Sequence, residues 1–248
     1  MRKSSVNLWI DDQIILECRE KVAVKVFFPE LSTVVVGRGN SIEKECHVGP
    51  CEKDSIPIVR RKGGGGTVVL SPASMIVSVG CWVKDYYESC FYLSSLNRSL
   101  ISALSKYKQV LSGLYQDGTS DIVWKEQKVA GTSLFRSRNY LLYQASVLVG
   151  NDKEKMAKYL KHPSVEPAYR EGKSHHEFTT YLEAIDESVD KNQLLKTVTE
   201  ELPREIKGSL KKRLVAPVSE QCVYLVWKTK RGERGARACE KNPKDGVL

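Results

Sequence analysis

Residues 63–83 are the longest stretch of this sequence without a charged side chain. A helix of that length would be able to cross a bilayer, but four consecutive glycines and Pro72 make a helix there unfavourable. After Pro72, apolar residues alternate with serine and glycine, interrupted only at Ile76, which is typical of a buried strand. The stretch therefore predicts β-strands in the protein core and no membrane span.

The rest of the hydrophobic pattern predicts further strands together with a smaller number of helices. The predicted strands cover residues 22–28, 33–36, 56–59, 67–70, 75–83, 122–124, 129–130, 141–149 and 224–227. The predicted helices cover residues 8–18, 96–111 with a glycine stop at Gly113, 152–160, 178–185 behind a capping box at Ser174, and 194–202. Because the helices interrupt the strands irregularly, the pattern predicts an α+β fold.

The 248 residues suffice for one large domain, and their net charge of +9 favours acidic partners such as phosphates, nucleic acid or acidic proteins. Part of this charge lies in residues 228–248, which we interpret as a solvated basic tail. The seven cysteines form no CxxC pair, so we expect reduced thiols, with Cys90 as a core thiol. The first apolar run is too short for a signal peptide, which favours the cytoplasm.

Four consecutive glycines follow three cations and precede a β-type run. The segment reads Val59-Arg60-Arg61-Lys62-Gly63-Gly64-Gly65-Gly66-Thr67-Val68-Val69. Glycines leave backbone N–H groups unobstructed, and an arginine fork matches phosphate or carboxylate, so the segment can bind a nucleotide phosphate or an acyl-phosphate. A glycine run alone is more often a flexible turn whose charges face water, and the segment lacks the Gly-Lys-Ser/Thr ending of a Walker loop.

This segment resembles the RRxxGGGxV signature of the lipoate-protein ligase A family. A second block is similar to the family's ND(I/V)…K(I/V)(S/A)G(S/T)A segment and reads Ser120-Asp121-Ile122-Val123, then Lys128-Val129-Ala130-Gly131-Thr132-Ser133. Weaker matches in the same order are Gly37-Arg38-Gly39-Asn40 and the strand from Tyr143 to Val149. The sequence departs from the family at Leu70-Ser71-Pro72 and Tyr143-Gln144, where the family has histidines, so the acyl chain and the acceptor stay open.

The resemblance implies a catalytic domain similar to class II aminoacyl-tRNA synthetases and biotin ligases, over residues 1–227, without a full accessory domain. It implies that a carboxylate attacks ATP to give an acyl-adenylate, and that a lysine of an acceptor protein then takes the acyl group. Lys128 is the implied catalytic residue, with its ammonium between the acyl carbonyl and the phosphate. The implied nucleotide contacts are Arg60, Arg61, Gly64, Gly65, Gly66, Thr67, Val68, Val69 and Asp121, and no metal ligand is assigned.

The implied small molecules are ATP, Mg²⁺ and lipoate or octanoate. The implied partner is a lipoyl domain or an H-type protein, with a separate accessory subunit as an option for the adenylation step. One alternative is an octanoyltransferase or lipoyl-transfer protein that uses no ATP; an octanoyltransferase would form a thioester on a cysteine. More remote alternatives are a non-catalytic module that binds lipoyl carriers and a basic nucleic-acid-binding protein. A membrane partner is not expected.

Two further segments carry polar groups that the resemblance does not use. His175 and His176 are adjacent and have no partner four residues on, so we predict polar residues at a helix start and not metal ligands. Residues 169–174 are interpreted as an ordinary charged loop.

Overall fold

The computed structural model describes Cys18 and residues 20–217, which all belong to one compact unit, Met1–Pro217. The strands are β1 (Val22–Phe27), β2 (Thr33–Val36), β3 (Ile58–Arg60), β4 (Val68–Leu70), β5 (Ser74–Trp82), β6 (Tyr115–Asp117), β7 (Asp121–Trp124), β8 (Gln127–Ser137) and β9 (Tyr140–Leu148). The α-helices are α1 (Ile42–Glu45), α2 (Val48–Lys53), α3 (Ser89–Tyr107), α4 (Lys153–Tyr159), α5 (His175–Phe178), α6 (Leu182–Ile185) and α7 (Lys191–Ser209). The expected helix at 8–18, except Cys18, the strand at 224–227, the boundary at 227 and the tail at 228–248 lie outside the described residues.

Two sheets organise the described part of the chain. The larger is antiparallel throughout, in the order β1-β5-β9-β8-β7-β6. The smaller has the order β3-β2-β4, in which β2 runs parallel to β3 and antiparallel to β4. The glycine run connects β3 to β4. It therefore lies at the edge of the small sheet where the central strand, β2, ends at Val36.

The main core lies between the large sheet and the two long helices. α7 buries Leu194, Val198, Leu202 and Ile206, four residues apart, and α3 buries a similar stripe that includes Leu100 and Leu104. These helix side chains pack against the residues of β5 and β9 that point away from the small sheet. Each fully buried leucine contributes about 1.5–3 kcal/mol, so this layer holds the large sheet rigidly behind the site.

The opposite face of the large sheet meets the small sheet and the short helices. Ile76 of β5 packs in a cluster with Val35, Val59 and Leu70 of the small sheet. A neighbouring apolar cluster joins the small sheet to α1, α2, β9 and α4 through residues that include Val36, Cys46, Cys51, Leu148 and Met156. The space between the two sheets is therefore apolar on several sides.

The predicted α+β fold is confirmed, and β4 and β5 occupy the uncharged stretch as strands. None of the helices that the structure describes is long and apolar enough to span a bilayer. The predicted glycine stop at Gly113 is wrong, because α3 ends at Tyr107 and a 3₁₀ turn, Gln109–Gly113, follows. Position 113 has room only for a glycine, because a Cβ there would lie 2.4 Å from the Trp124 ring.

Two other predictions are wrong in instructive ways. The capping box at Ser174 is present, but the helix behind it is split into α5 and α6, because Thr179 pairs with Lys128 in a β-bridge. Cys90 is exposed and disulfide-bonded instead of being a buried thiol. The β-bridge between Thr179 and Lys128 fixes the chain between α5 and α6 to the hairpin of β7 and β8, which carries the predicted catalytic residue Lys128.

Candidate active site

A bulge brings Lys128 and Gly131 to the same face of β8. Residues three apart in a regular strand point to opposite faces, but the pairing of β7 with β8 shifts register between Ile122 and Val123. The shift adds one residue to β8, and Lys128 folds over Gly131, where a Cβ would lie 3.1 Å from the lysine Nζ. The missing side chain at Gly131 therefore gives the ammonium its space.

Asp121, opposite Gly131 on β7, holds this ammonium. The Lys128 Nζ lies 2.7 Å from Asp121 Oδ1, and the two side chains are only 25% and 9% exposed. The Tyr169 hydroxyl donates a hydrogen bond of 2.8 Å to Asp121 Oδ2. Burial, with the neighbouring Asp121 carboxylate, raises the pKa of Tyr169, so its hydroxyl stays protonated and donates. Both carboxylate oxygens are engaged, which fixes the ammonium in place.

The glycine run folds around the Arg61 guanidinium. Arg61 Nη2 donates to the carbonyl oxygens of Gly64 at 2.6 Å and Gly66 at 2.7 Å. Gly65, between them, has a φ of +87°, a conformation that favours glycine. No backbone carbonyl of the described residues accepts a hydrogen bond from the amides of Gly64, Gly65 or Gly66. These amides can therefore donate to an anion.

The turn at residues 37–40 packs directly on this loop. Asn40 Nδ2 donates to the carbonyl of Gly65 at 3.1 Å. Gly37 comes so close that a Cβ on it would lie 2.0 Å from the same carbonyl oxygen. Arg60 Nη1 supports the turn by donating to three of its carbonyl oxygens at 2.7–3.1 Å. Two glycine-rich segments far apart in sequence thus form one unit.

These parts border a cavity of about 440 Å³, a volume typical of small-molecule sites. Its polar lining includes Arg61, Asp121 and Lys128. Much of its apolar lining comes from both sheets and from the chain around α4, and includes Val35, Val68, Val69, Leu70, Ile76, Leu148, Met156 and Leu160. Four of these residues, Val69, Leu148, Met156 and Leu160, belong to one packed cluster. The cavity can therefore take a ligand with an anionic group and an aliphatic part.

Residues 160–179 supply another wall of the cavity, and two contacts fix this segment. The Ser164 hydroxyl donates to Oε1 of Glu45 at 2.5 Å, and Glu45 is itself only 3% exposed. At its other end, the amide of Thr180 donates to the carbonyl of Lys128 at 2.9 Å. The wall is thus tied to α1 and to the hairpin that carries the ammonium.

The histidines do not form a metal site. His175 lines the cavity and donates from Nε2 to the carbonyl of Lys161 at 3.0 Å, and burial lowers its pKa, so it is neutral at pH 7. His176 is exposed and lies 3.2 Å from Glu154. Among the described residues no group of three or more His, Cys, Asp or Glu could hold a metal ion, and both oxygens of Asp121 are engaged. These side chains do not fit a resident metal.

Most of the predicted site residues come together at this cavity. They are Arg61, Gly65, Gly66, Thr67, Val68, Val69, Asp121 and Lys128. Arg60 and Gly64 do not line it, and Arg60 instead donates to the 37–40 turn. What each of these residues binds stays a prediction.

The interpretation of residues 169–174 as an ordinary charged loop is wrong for its first two members. Tyr169 contacts Asp121, and Arg170 lines the cavity. An aromatic and a cationic residue shortly after Pro167 were the available signal. Glu45 gave no such signal, because a glutamate on a short charged helix normally faces solvent.

Comparison with known protein sequences identifies one family. The family model described as the lipoyl protein ligase A/B catalytic domain matches residues 4–203. A probable lipoate-protein ligase A of Mycoplasma genitalium is 25% identical over 161 residues, which are 62% of this chain and 45% of that protein. The lipoate-protein ligase A of Blochmanniella floridana is 22% identical over 165 residues, 62% of this chain and 44% of that protein. The chain spans under half the length of these two relatives.

Solved structures share the fold. A structure of lipoate-protein ligase A bound with ATP has a TM-score of 0.61 at 18% identity, covering 87% of this chain and 85% of that one. A bi-partite lipoate protein ligase, described with its E2 lipoyl domain from Thermoplasma acidophilum, has a TM-score of 0.63 at 18% identity, covering 83% and 78%. P. falciparum LipL1 in complex with lipoate has a TM-score of 0.59 at 17% identity, covering 77% and 50%.

Proposed function

The chain belongs to the lipoyl protein ligase A/B catalytic-domain family, and from that premise we propose that it forms or uses an acyl-adenylate. The acyl group, lipoate or octanoate, then passes to a lysine of a lipoyl-carrier protein. In this proposal ATP supplies the adenylate, and Lys128 is the catalytic residue.

One observation carries the proposal: a fixed ammonium, a loop with available amides and a contiguous apolar lining all border the same cavity. An acyl-adenylate has matching parts, namely an aliphatic chain, a carbonyl next to a phosphate, and a nucleoside. The amides of Gly65 and Gly66 suit the phosphate, and the cluster around Leu148 and Met156 suits the chain.

In the first step an oxygen of the acyl carboxylate attacks the α-phosphorus of ATP. The new acyl–phosphate bond forms as the bond to the β-phosphate breaks, and pyrophosphate leaves. The Lys128 ammonium stabilises the negative charge that develops on the phosphate and carbonyl oxygens, and it does so from a position that Asp121 already fixes.

In the second step the neutral amine of the acceptor lysine attacks the acyl carbon. An amide forms, AMP leaves with the electrons of the broken anhydride bond, and the nitrogen loses a proton. The same ammonium faces the carbonyl oxygen, so Lys128 would stabilise charge in both steps. The acceptor would be a lipoyl domain or H-type protein, and an acidic one would suit a chain with a net charge of +9.

The main alternative, an octanoyl thioester on a cysteine, requires a thiol with a lowered pKa at the site. The four free thiols of the described residues are all buried, and burial raises the pKa of Cys18 and of Cys46 to about 11. In the described part of the chain no cysteine lines the cavity. These observations favour the adenylate route.

The ligands of two structures with the same fold support ATP and lipoate as the small molecules of this proposal. One relative is bound with ATP and another is in complex with lipoate. Magnesium is proposed only as an ion that arrives on the nucleotide phosphates, since the described side chains do not fit a resident metal. The bi-partite relative makes a separate accessory subunit a reasonable part of the proposal.

The test is direct formation of the intermediate. We expect the protein, incubated with ATP, magnesium and lipoate or octanoate, to give acyl-AMP detectable by mass spectrometry. Supplied synthetic acyl-AMP should acylate a lipoyl domain even if adenylation needs a second subunit. An ATP-independent acyl-enzyme thioester, or failure to use supplied acyl-AMP, would overturn the proposal.

Tyr169→Phe is expected to slow acyl-adenylate formation by about 10-fold, with little change in the KM for ATP. The hydroxyl acts through Asp121 on Lys128, and a hydrogen bond to a charged group contributes roughly 1.5–3 kcal/mol. Steady-state kinetics would measure the effect, with Tyr115→Phe as the control because Tyr115 is exposed and does not line the cavity.

The role of Tyr169 as a positioning residue can be separated from a structural one. Added to Lys128→Ala, the Tyr169→Phe change should cost little more, because both act through one ammonium. A full additional 10-fold loss in the double variant would contradict this arrangement.

A further inference from the structure

The second step of the proposed reaction needs a group that accepts a proton. When the amine of the acceptor lysine attacks the acyl carbon, its nitrogen becomes positively charged, and the amide is complete only after that nitrogen has lost a proton. A base positioned at the reacting atoms speeds such a transfer by about 10²- to 10⁴-fold. The ammonium of Lys128 stabilises negative charge but has no lone pair with which to accept a proton.

The carboxylates that line the cavity are engaged by groups of the protein itself. They are Asp121, held by Lys128 and Tyr169; Glu166, held by Arg170 and the amide of Gly172; and Glu45, held by the hydroxyl and the amide of Ser164. Hydrogen bonds and cations that favour the charged form make a carboxylate a weaker base. Among the described residues that line the cavity, His175 is the side chain that offers a neutral base at pH 7.

The ring of His175 is held so that one nitrogen can accept a proton. Nε2 donates to the carbonyl of Lys161 at 3.0 Å, so the proton of the neutral ring is on Nε2 and Nδ1 carries the lone pair. No hydrogen bond from the described residues reaches Nδ1. The residue is half-buried and lines the cavity, so this nitrogen is available to a substrate.

The backbone holds His175 beside the hairpin that carries Lys128. The hydroxyl and the amide of Thr179 donate to the carbonyl of His175 at 2.7 and 3.2 Å, and Thr179 forms the β-bridge with Lys128. The capping box of Ser174 and Glu177 fixes the turn in which the histidine lies. A base and the charge-stabilising ammonium therefore border one cavity from two segments that are joined to each other.

We propose that His175 is a further catalytic residue, whose Nδ1 takes the proton from the nitrogen of the acceptor lysine in the transfer step. The inference rests on the proposed function and concerns the incoming amine, not the adenylate. As the bond between the lysine nitrogen and the acyl carbon forms, the bond from that carbon to the phosphate oxygen breaks, and AMP leaves with its electron pair. The proton passes from the nitrogen to Nδ1, and the imidazolium then releases it to water.

The surroundings of His175 keep the ring in its accepting form. Burial lowers the pKa of His175, the hydrogen bond to Lys161 opposes this, and the nearby cations Arg170, His162 and Lys128 lower the pKa further. The three carboxylates of the cavity are engaged as described above. The ring is therefore neutral at pH 7, and it stops accepting protons only when the pH falls through this lowered pKa.

The test measures transfer separately from binding. His175→Gln keeps an N–H that can donate to Lys161 but removes the base. In a single turnover with supplied octanoyl-AMP and a lipoyl domain, we expect transfer to be about 100-fold slower than in the wild type. The affinity for octanoyl-AMP without an acceptor, measured by calorimetry, should stay within about twofold. His176→Gln is the matched control and should transfer as the wild type does, because His176 is exposed, lies 3.2 Å from Glu154 and does not line the cavity.

The pH profile gives a second readout, which a purely structural role would not change. The acceptor lysine itself becomes less reactive as the pH falls, so the wild-type transfer rate should drop about 10-fold per pH unit above the pKa of His175 and about 100-fold per unit below it. His176→Gln should keep this change of slope, and His175→Gln should lose it.

Several outcomes would overturn the inference. They are transfer by His175→Gln at the wild-type rate, a loss of affinity for octanoyl-AMP that accounts for the slower transfer, and a change of slope that persists in this variant. If His175→Gln does not fold, His175→Asn removes the same base and is judged by the same outcomes. A wild-type protein that does not transfer the acyl group from octanoyl-AMP to the lipoyl domain would overturn the proposed function itself, which separates the two failures.

Discussion

Lys128→Ala is expected to slow acyl-adenylate formation by about 100- to 1000-fold, the range for losing one preorganised group that stabilises developing negative charge. Asp121 holds the ammonium at 2.7 Å, and Gly131 leaves the space over which the lysine folds. The wild-type protein therefore has its positive charge in place before the reaction begins. Single-turnover formation of acyl-AMP from ATP and octanoate, followed by mass spectrometry, would measure the loss.

The hairpin offers a matched control for this variant. Lys125 lies in the exposed turn of the same hairpin, so Lys125→Ala removes an equal charge a few residues away. We expect its rate to stay within about twofold of the wild type, as for most surface substitutions. Thermal unfolding of both variants would check that neither rate reflects unfolding. Similar rates for the two variants would contradict a catalytic role for Lys128.

The strands and the paired hairpin were predictable because their signals are local. Alternating patterns and short β-branched runs both depend only on neighbours in sequence, and the run of β2 was predicted with the bounds that the structure has. The split between α5 and α6 was not predictable in this way. It depends on Lys128, whose backbone carbonyl takes the amide of Thr180 and so removes it from any continuing helix.

The cavity residues that lie within a sequence motif were predictable. Those that only tertiary packing brings to the cavity were not. The glycine run and Lys128 were found through the family resemblance, but nothing in the sequence marks the bulge that turns Lys128 toward Gly131. Tyr169 and Arg170 enter through a long connection without regular alternation; Tyr169 bonds to Asp121 in β7, and Arg170 lines the cavity. Such contacts follow from tertiary packing, which single-sequence patterns do not encode.

The position of Arg61 is consistent with two roles, a contact with phosphate and support of the glycine loop. The family resemblance implied that its guanidinium contacts phosphate, and Arg61 does line the cavity, yet the guanidinium also donates to the backbone carbonyls of Val35, Gly64 and Gly66. By turning these carbonyls toward itself, Arg61 leaves the neighbouring amides to face other acceptors. If the loop binds an anion as proposed, Arg61 would contribute through the shape of the loop.

That dependence on loop shape makes Gly37→Ala the second variant with a large expected effect. The new Cβ would lie 2.0 Å from the carbonyl oxygen of Gly65, and because this is a backbone atom no side-chain rotation can relieve the clash. We expect the free energy of unfolding to fall by about 1–3 kcal/mol, as for an overpacked core. We also expect adenylate formation to slow by roughly 100-fold, the effect of displacing a site by about 1 Å.

Gly39→Ala is the matched control, two residues away in the same turn. A Cβ on Gly39 would have no atom within 4 Å, and neither Gly37 nor Gly39 has a positive φ. The two variants therefore differ in available space and not in backbone strain, and Gly39→Ala should stay within about 0.5 kcal/mol of the wild type. Urea denaturation and AMP titration of both would separate the cases. If Gly37→Ala bound AMP as tightly as Gly39→Ala, the contact between the two glycine-rich segments would not control the anion site, and the phosphate would have to be held by side chains alone.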